Sequence, residues 1–357
     1  MTPSGAAVAS DRRAPDRPAE GYAPCLDGVR AVAVLAIVAF HARSDLLPGA
    51  YIGVDLFFVM SGFLITGILL REIERTGRVG LGRFYLRRAL RLGPALVVMC
   101  AIAGVGFWLL PVTDREASLV GTAAALTYTS SPLAAAGVDL GWMVHTWSLS
   151  VEEYFYLVWP IALVYLARRR RPLLAVATVT AVAIAYRFAS AHATDWSLAR
   201  IAYAPDTRAE QLLIGCLLAL VLRDGLLRVR SWHAAVAALA FVAFTLLPGE
   251  IGAPLYRDGA STLIALASAV LIAGLLQDPD KPLSQLAATP VLVWIGRRSY
   301  GIYLWNLPIV ALVAATPLPG PASTAVKLVL SFAIPAVSFV LVEQPFLRLK
   351  DRYAARR

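Results

Sequence analysis

Arg30 and His41 stand eleven residues apart in one apolar run, RAVAVLAIVAFHA, at 30–42. On an α-helix that spacing turns through about 1100°, so the two side chains fall within roughly 20° of one face, about 16 Å apart along the axis. Ionisable groups inside a lipid-soluble span are costly and normally face a bundle interior or a watery cavity. One stripe of this helix is therefore expected to line such a cavity. On this helix alone, Arg30 reaching out to headgroups and His41 closing the far end fits equally well. Other polar groups break the tie. GVDLFFVMSGFLITG places Asp55 near the start of a second apolar run, and HTWSLSVEEYFYLVWP places Glu152 and Glu153 near the start of another. A histidine and carboxylates from three helices arrive at a shared depth. The competing reading is a buried polar network that only holds helices together.

A neutral histidine oriented by a carboxylate is a general base for a hydroxyl proton. This makes His41, Asp55, Glu152 and Glu153 the candidate catalytic set. Ser61, Ser148 and Ser150 lie nearby, and helix packing accounts for each equally well. Metal chemistry is not expected: no HxxxH or HExxH pair occurs, and His145, His192 and His233 are dispersed. Cys25, Cys100 and Cys216 share no CxxC spacing and read as small apolar residues.

The partner of that base is suggested by REIERTGRVGLGRFYLRRALR at 71–91, which holds seven arginines against two glutamates. Arg83, Arg87 and Arg91 recur every four residues, with Arg88 beside them. Arginine's planar fork of donors suits phosphate, although a basic helix end equally serves orientation in the membrane or contact with anionic lipid. With Arg30 these residues form the candidate site for a phosphate-bearing cytosolic donor. If the donor is an acyl-coenzyme A, its pantetheine arm is long enough to cover the rise from Arg30 to His41.

The elements that must position these groups are membrane helices. The chain is 59% hydrophobic and only 16% charged, with a mean hydropathy of +0.67, far from ordinary soluble domains. The net charge of +10 reads as cytoplasmic-loop charge rather than a nucleic-acid surface, and no basic, aromatic-interleaved module is present. An all-α polytopic bundle of about ten transmembrane helices is expected, near 28–45, 50–71, 92–111, 147–167, 173–190, 207–222, 233–248, 260–276, 293–314 and 323–342. A further run, 117–136, would put the arginines at 168–171 opposite those at 71–91 if it crossed. The positive-inside rule opposes that, so this segment is expected to be re-entrant or interfacial, with both termini cytoplasmic. Residues 1–24 read as a disordered tail, 25–347 as one membrane domain and 348–357 as a basic tail.

LDGVRAVAVLAIVAFH, GVDLFFVMSGFLIT, RFYLRRALRL, HTWSLSVEEYFYLVWP, RRSYGIYLWNLP and VEQPF, in that order over 25–347, resemble the integral-membrane acyltransferase-3 family. The resemblance implies a bacterial cell-membrane O-acyltransferase taking a short acyl group from cytosolic acyl-CoA, without a metal. The acceptor would be a hydroxyl on an envelope polysaccharide, a glycolipid or a glycosylated metabolite such as a macrolide. It implies that Arg30 and His41 are the family's essential pair and that Glu152 or Glu153, with Glu152 preferred, fills its acidic position. Arg83, Arg87, Arg88 and Arg91 belong to the basic loop. Asp27, Trp147, Ser150, Tyr300, Tyr303 and Asn306 form the expected substrate-binding set; Trp147, with Trp142 and Trp196, is also a candidate for stacking on sugar rings, or for an interfacial belt. Asn306 stands where relatives usually carry histidine, and it cannot become charged. Relatives with a C-terminal esterase-like domain exist, and the end of this sequence soon after VEQPF suggests a single-component transferase or one acting on smaller acceptors. The rival from another class is a transporter or lipid-linked sugar carrier using the same polar cavity; oligomeric state is not legible in the sequence.

Overall fold

A computed structural model describes residues 22–42, 45, 47–169, 171–247 and 256–355. Among these residues the regular elements are all helical, with no strand. This is the solution lipid permits to an open chain, because a helix satisfies its own backbone. The expected tail at 1–24 lies outside the described residues except for its last three.

The chain opens with α1 (Pro24–Ala42), α2 (Gly53–Thr76) and α3 (Leu81–Leu109). Gly77, at φ 71°, closes α2 in the left-handed conformation, with its N–H on the Ile73 carbonyl. The basic run 83–91 is not a separate loop: it forms the first turns of the 29-residue α3. Two short helices follow, α4 (Arg115–Leu126) and α5 (Ser130–Ala135). Then come α6 (Trp147–Ala167), α7 (Pro172–His192), the short α8 (Leu198–Tyr203), α9 (Ala209–Arg223), α10 (Ser231–Leu246) and α11 (Ser261–Gln277). The last third holds α12 (Pro282–Ala287), α13 (Pro290–Arg297), α14 (Ser299–Ala314) and α15 (Gly320–Ser338). A π-turn at Phe339–Glu343 leads into α16 (Gln344–Ala355), so the expected basic tail is helical as far as it is described.

Seven helical stretches, built on α1, α2, α3, α6, α7, α11 and α15, are long and apolar enough to cross a membrane; α10 and α14 are apolar but shorter. Each of the ten expected spans falls on helix, with two differences. The run at 207–222 is the 15-residue α9. The run at 293–314 is broken at Arg298, where ψ of 3° ends α13 before α14 begins. Just before the break, at Gly296, any β-carbon would overlap the Asp27 carbonyl, so α13 lies directly on the start of α1. The run at 117–136 forms no single helix. Thr127 bonds back to the Ala123 and Ala124 carbonyls, and Tyr128 takes a φ of 54°. Such local bonds compete with helix continuation. The 12 residues of α4 reach about 18 Å, well short of a hydrocarbon core of about 30 Å.

α1 runs through the middle of the bundle, against α2, α11, α12, α13, α14 and α15. α2 and α9 approach most closely. Gly62 lies on the Leu212 carbonyl and Gly215 on the Val59 carbonyl, positions where a β-carbon has no room; small residues let membrane helices meet backbone to backbone.

Candidate active site

Three cavities follow the Arg30–His41 face of α1. A mouth of about 730 Å³, open side included, is lined by Tyr22, Asp27, Arg30, Arg88 and Arg91. It shares Arg30, Ser61, Arg88, Arg91 and Tyr156 with a central cavity of about 570 Å³, which adds Ser148, Glu152 and Tyr300. A larger chamber of about 1740 Å³ holds His41, His145, Tyr51, Trp147 and Tyr203, and meets the central cavity at Val54 and Tyr303. The two residues that open the sequence argument thus line one succession of cavities from opposite ends, with an unbroken helix between them.

Among the described residues, the partner of the His41 ring is an amide and not a carboxylate. The ring Nδ1 lies 2.5 Å from the Asn306 Oδ1, while the Asn306 Nδ2 donates to the Ser331 Oγ at 3.0 Å. As placed, the amide turns its NH₂ to Ser331 and its carbonyl oxygen to the imidazole. Nδ1–H therefore donates, and Nε2 keeps a lone pair. Asn306 thus meets the ring with an uncharged group that accepts from Nδ1.

The carboxylates separate. Glu152 lines the central cavity, accepting from the Ser61 hydroxyl at 2.6 Å and from the Tyr156 hydroxyl at 3.2 Å. Glu153, its neighbour, does not line the three cavities, since successive helical residues point about 100° apart. Asp55 does not reach His41. It pairs with the Arg208 Nη1 at 3.3 Å and accepts from the Gln211 Nε2 at 3.1 Å, with Asp55 and Arg208 each 2% exposed. Its part is indirect: Arg208 also donates to the Ala202 carbonyl at 2.6 Å and lies 5.1 Å above the Trp147 ring, holding two walls of the His41 chamber.

The arginines separate too. Arg88 and Arg91 line the mouth and the central cavity with Arg30, and Arg88 lies 4.2 Å over the Tyr156 ring. Arg83 and Arg87 are exposed, and Arg83 pairs with Glu72 at 3.4 Å. A repeat of four residues drifts about 40° per step around a helix. The stripe therefore reaches the bundle face only at its end, at Arg91. The Arg30 Nε is buried without a hydrogen-bond partner. Asp27 accepts from the Tyr22 hydroxyl at 2.6 Å and faces the Arg297 Nε at 3.5 Å, closing one side of the mouth. Burial, then the bond to Asp27, raises the Tyr22 phenol above its ordinary pKa.

Trp147, Tyr300 and Tyr303 line cavities; Ser150 does not. Ser150 is fully buried and bonds to the Thr146 carbonyl at 3.3 Å, as a packing residue does. Tyr300 donates to the Leu92 carbonyl at 2.8 Å. His145, which the sequence reading set aside as dispersed, lines the His41 chamber, with its Nε2 3.1 Å from the Leu304 carbonyl. The signal available was its place at the head of HTWSLSVEE; the 3-10 turn Gly141–Thr146 turns it inward.

This arrangement is that of a polytopic membrane domain with an internal site, basic at one end and imidazole-bearing at the other. The chain belongs to the acyltransferase-3 family: the family's acyltransferase-domain profile matches residues 24–342. It is 33% identical to the peptidoglycan O-acetyltransferase OatA of Listeria monocytogenes, over 91% of this chain and 56% of the relative. It is 32% identical to the putative peptidoglycan O-acetyltransferase YrhL of Bacillus subtilis, over 94% of this chain and 56% of the relative. With a putative O-acetyltransferase of Staphylococcus aureus strain COL the identity is 30%, over 91% and 57%. The chain thus spans a little over half the length of these relatives. No solved structure matches it.

Proposed function

We propose that this chain is a bacterial membrane O-acyltransferase that moves a short acyl group from cytosolic acyl-CoA to a hydroxyl of a carbohydrate acceptor. The observation that carries the reading is His41, held through Nδ1 by the Asn306 amide at the end of a cavity chain that starts at three arginines. The peptidoglycan O-acetyltransferases among its relatives favour a glycan acceptor and an acetyl group. Ten crossings, with both termini and the Arg30 end cytoplasmic, satisfy the positive-inside rule. The segment 117–136 then lies re-entrant or interfacial on the far side.

Arg30, Arg88 and Arg91 suit the donor's phosphates: three guanidinium groups share the mouth, and a buried Nε among them lacks a partner. The pantetheine arm would occupy the central cavity beside Ser61, Glu152 and Tyr156. The His41 Nε2 takes the acceptor's hydroxyl proton as the oxygen forms its bond to the thioester carbonyl carbon. The carbon–sulfur bond then breaks, and the imidazolium returns the proton to the departing thiolate. Trp147, Tyr51 and Tyr203 give the chamber aromatic walls of the kind that sugar rings stack on.

The test uses purified full-length protein in lipid nanodiscs with radiolabelled acetyl-CoA and soluble peptidoglycan fragments. The expected result is one ester formed per thioester lost. Thioester left intact while a labelled glycan is carried across a proteoliposome membrane would overturn the reading in favour of a carrier.

A further inference from the structure

We propose that Val54 and Tyr303 form a rigid neck that passes straight acyl groups and excludes those branched next to the carbonyl. The inference rests on the acyl-CoA reading above and adds a selectivity that the reading does not contain.

The central cavity and the His41 chamber have two lining residues in common, Val54 from α2 and Tyr303 from α14. With the donor's phosphates at Arg30, Arg88 and Arg91, the acyl group is the leading end, and its carbonyl must come within reach of His41. Everything attached beyond the carbonyl therefore clears Val54 and Tyr303 first. A straight chain presents one carbon at a time to such an opening. An isobutyryl group presents two methyls abreast.

Neither wall can give way easily. Val54 follows Gly53, where a β-carbon would sit 2.5 Å from the Ala33 carbonyl oxygen and 3.0 Å from the Ile37 Cγ1. The start of α2 is thus seated on α1 and has no slack to retreat. Tyr303 donates its hydroxyl proton to the His145 carbonyl at 2.7 Å and accepts from the Ser148 hydroxyl at 2.6 Å. Its ring is braced edge-on by Phe57, with centroids 6.5 Å apart, and by His145 at 5.5 Å. Close-packed interiors transmit strain rather than absorb an added methyl, so width is selected here while the larger chamber beyond leaves length comparatively free.

The experiment measures kcat/KM of the purified full-length protein with acetyl-, butyryl- and isobutyryl-CoA and one glycan acceptor. One methyl group in a tight apolar passage is worth about tenfold or more. Wild type is expected to use isobutyryl-CoA at least about tenfold less well than butyryl-CoA, and Val54→Ala to raise that ratio about tenfold. Val54→Ile moves it the other way and serves if the alanine variant is not recovered. Leu64→Ala, which lines the mouth rather than the neck, is expected to leave the ratio unchanged. Equal use of the two butyryl isomers by wild type, or a ratio indifferent to residue 54, overturns the neck while acetyl turnover leaves the transferase reading standing. If no thioester is consumed, it is the transferase reading that fails.

Discussion

The two ends of α1 face different kinds of space. At the Arg30 end the cavities are smaller and charged, with the Arg88 guanidinium over the Tyr156 ring and Glu152 tied to two hydroxyls. At the His41 end the chamber is larger and aromatic-walled, and its imidazole is held by a neutral amide. A long, polyanionic donor arm suits the first, and a bulky polyhydroxyl acceptor suits the second. Bringing two substrates to one point from opposite sides needs an element that spans both spaces without a break, and α1 supplies it. The comparison implies that substitutions at the two ends damage different kinetic constants.

The largest effect is expected from His41→Ala. Loss of a general base costs about 10²- to 10⁴-fold in kcat, with the affinity for acyl-CoA, measured by equilibrium binding of a labelled non-hydrolysable analogue, left within twofold. Weakened donor binding by this variant would blur the division between the ends. Next is Arg208→Leu, which removes the guanidinium that faces the buried Asp55 carboxylate. Removing one partner of such a pair costs about 3–5 kcal/mol, read as lost thermal stability of the detergent-solubilised protein. Pairing it with Asp55→Leu is expected to restore most of that stability. If the single variant keeps wild-type stability, Asp55 and Arg208 do not hold the chamber walls.

A smaller effect tests the other end. Arg91→Gln removes a charge-assisted contact worth about 1.5–3 kcal/mol, so the KM for acyl-CoA is expected to rise at least about tenfold with the acceptor KM unchanged. Arg83→Gln and Arg87→Gln, on the exposed side of the same helix, are expected to change it less than twofold. Equal effects from all three would mean that the whole basic stripe acts through its field rather than through the cavity.

That contrast shows where the sequence was legible. The Arg30–His41 face follows from helical periodicity alone, and the structure bears it out because α1 is unbroken. The arginine stripe was legible as a stripe, but which members reach the cavity depends on how α3 is rotated against its neighbours, which a four-residue spacing does not determine. Shared depth grouped Asp55 with the glutamates, yet its partner, Arg208, lies 153 residues away, and long-range pairing leaves no periodic trace. Arg187 and Glu210, 3.3 Å apart and buried, escaped notice for the same reason. The break at Arg298 was hidden because both halves are apolar, and the glycine contact beside it is visible only in three dimensions.

The finest expected effect lies behind the imidazole. Ser331 lines none of the three cavities; it accepts from the Asn306 Nδ2 and so anchors the amide with its carbonyl oxygen toward the ring. In Ser331→Ala that constraint is gone. The amide is then free to turn and present its NH₂ to Nδ1, a bond that requires the other tautomer, with the proton on Nε2 and no lone pair toward the acceptor. A neutral hydrogen bond contributes about 0.5–1.5 kcal/mol, so kcat is expected to fall about two- to tenfold, with both KM values held. Asn306→Leu, which cannot orient the ring at all, is expected to lose at least as much, and adding Ser331→Ala to it should cost nothing further, because Ser331 acts only through the amide. Additive losses in the double variant would show that Ser331 works by another route and that the tautomer at the His41 end is set elsewhere.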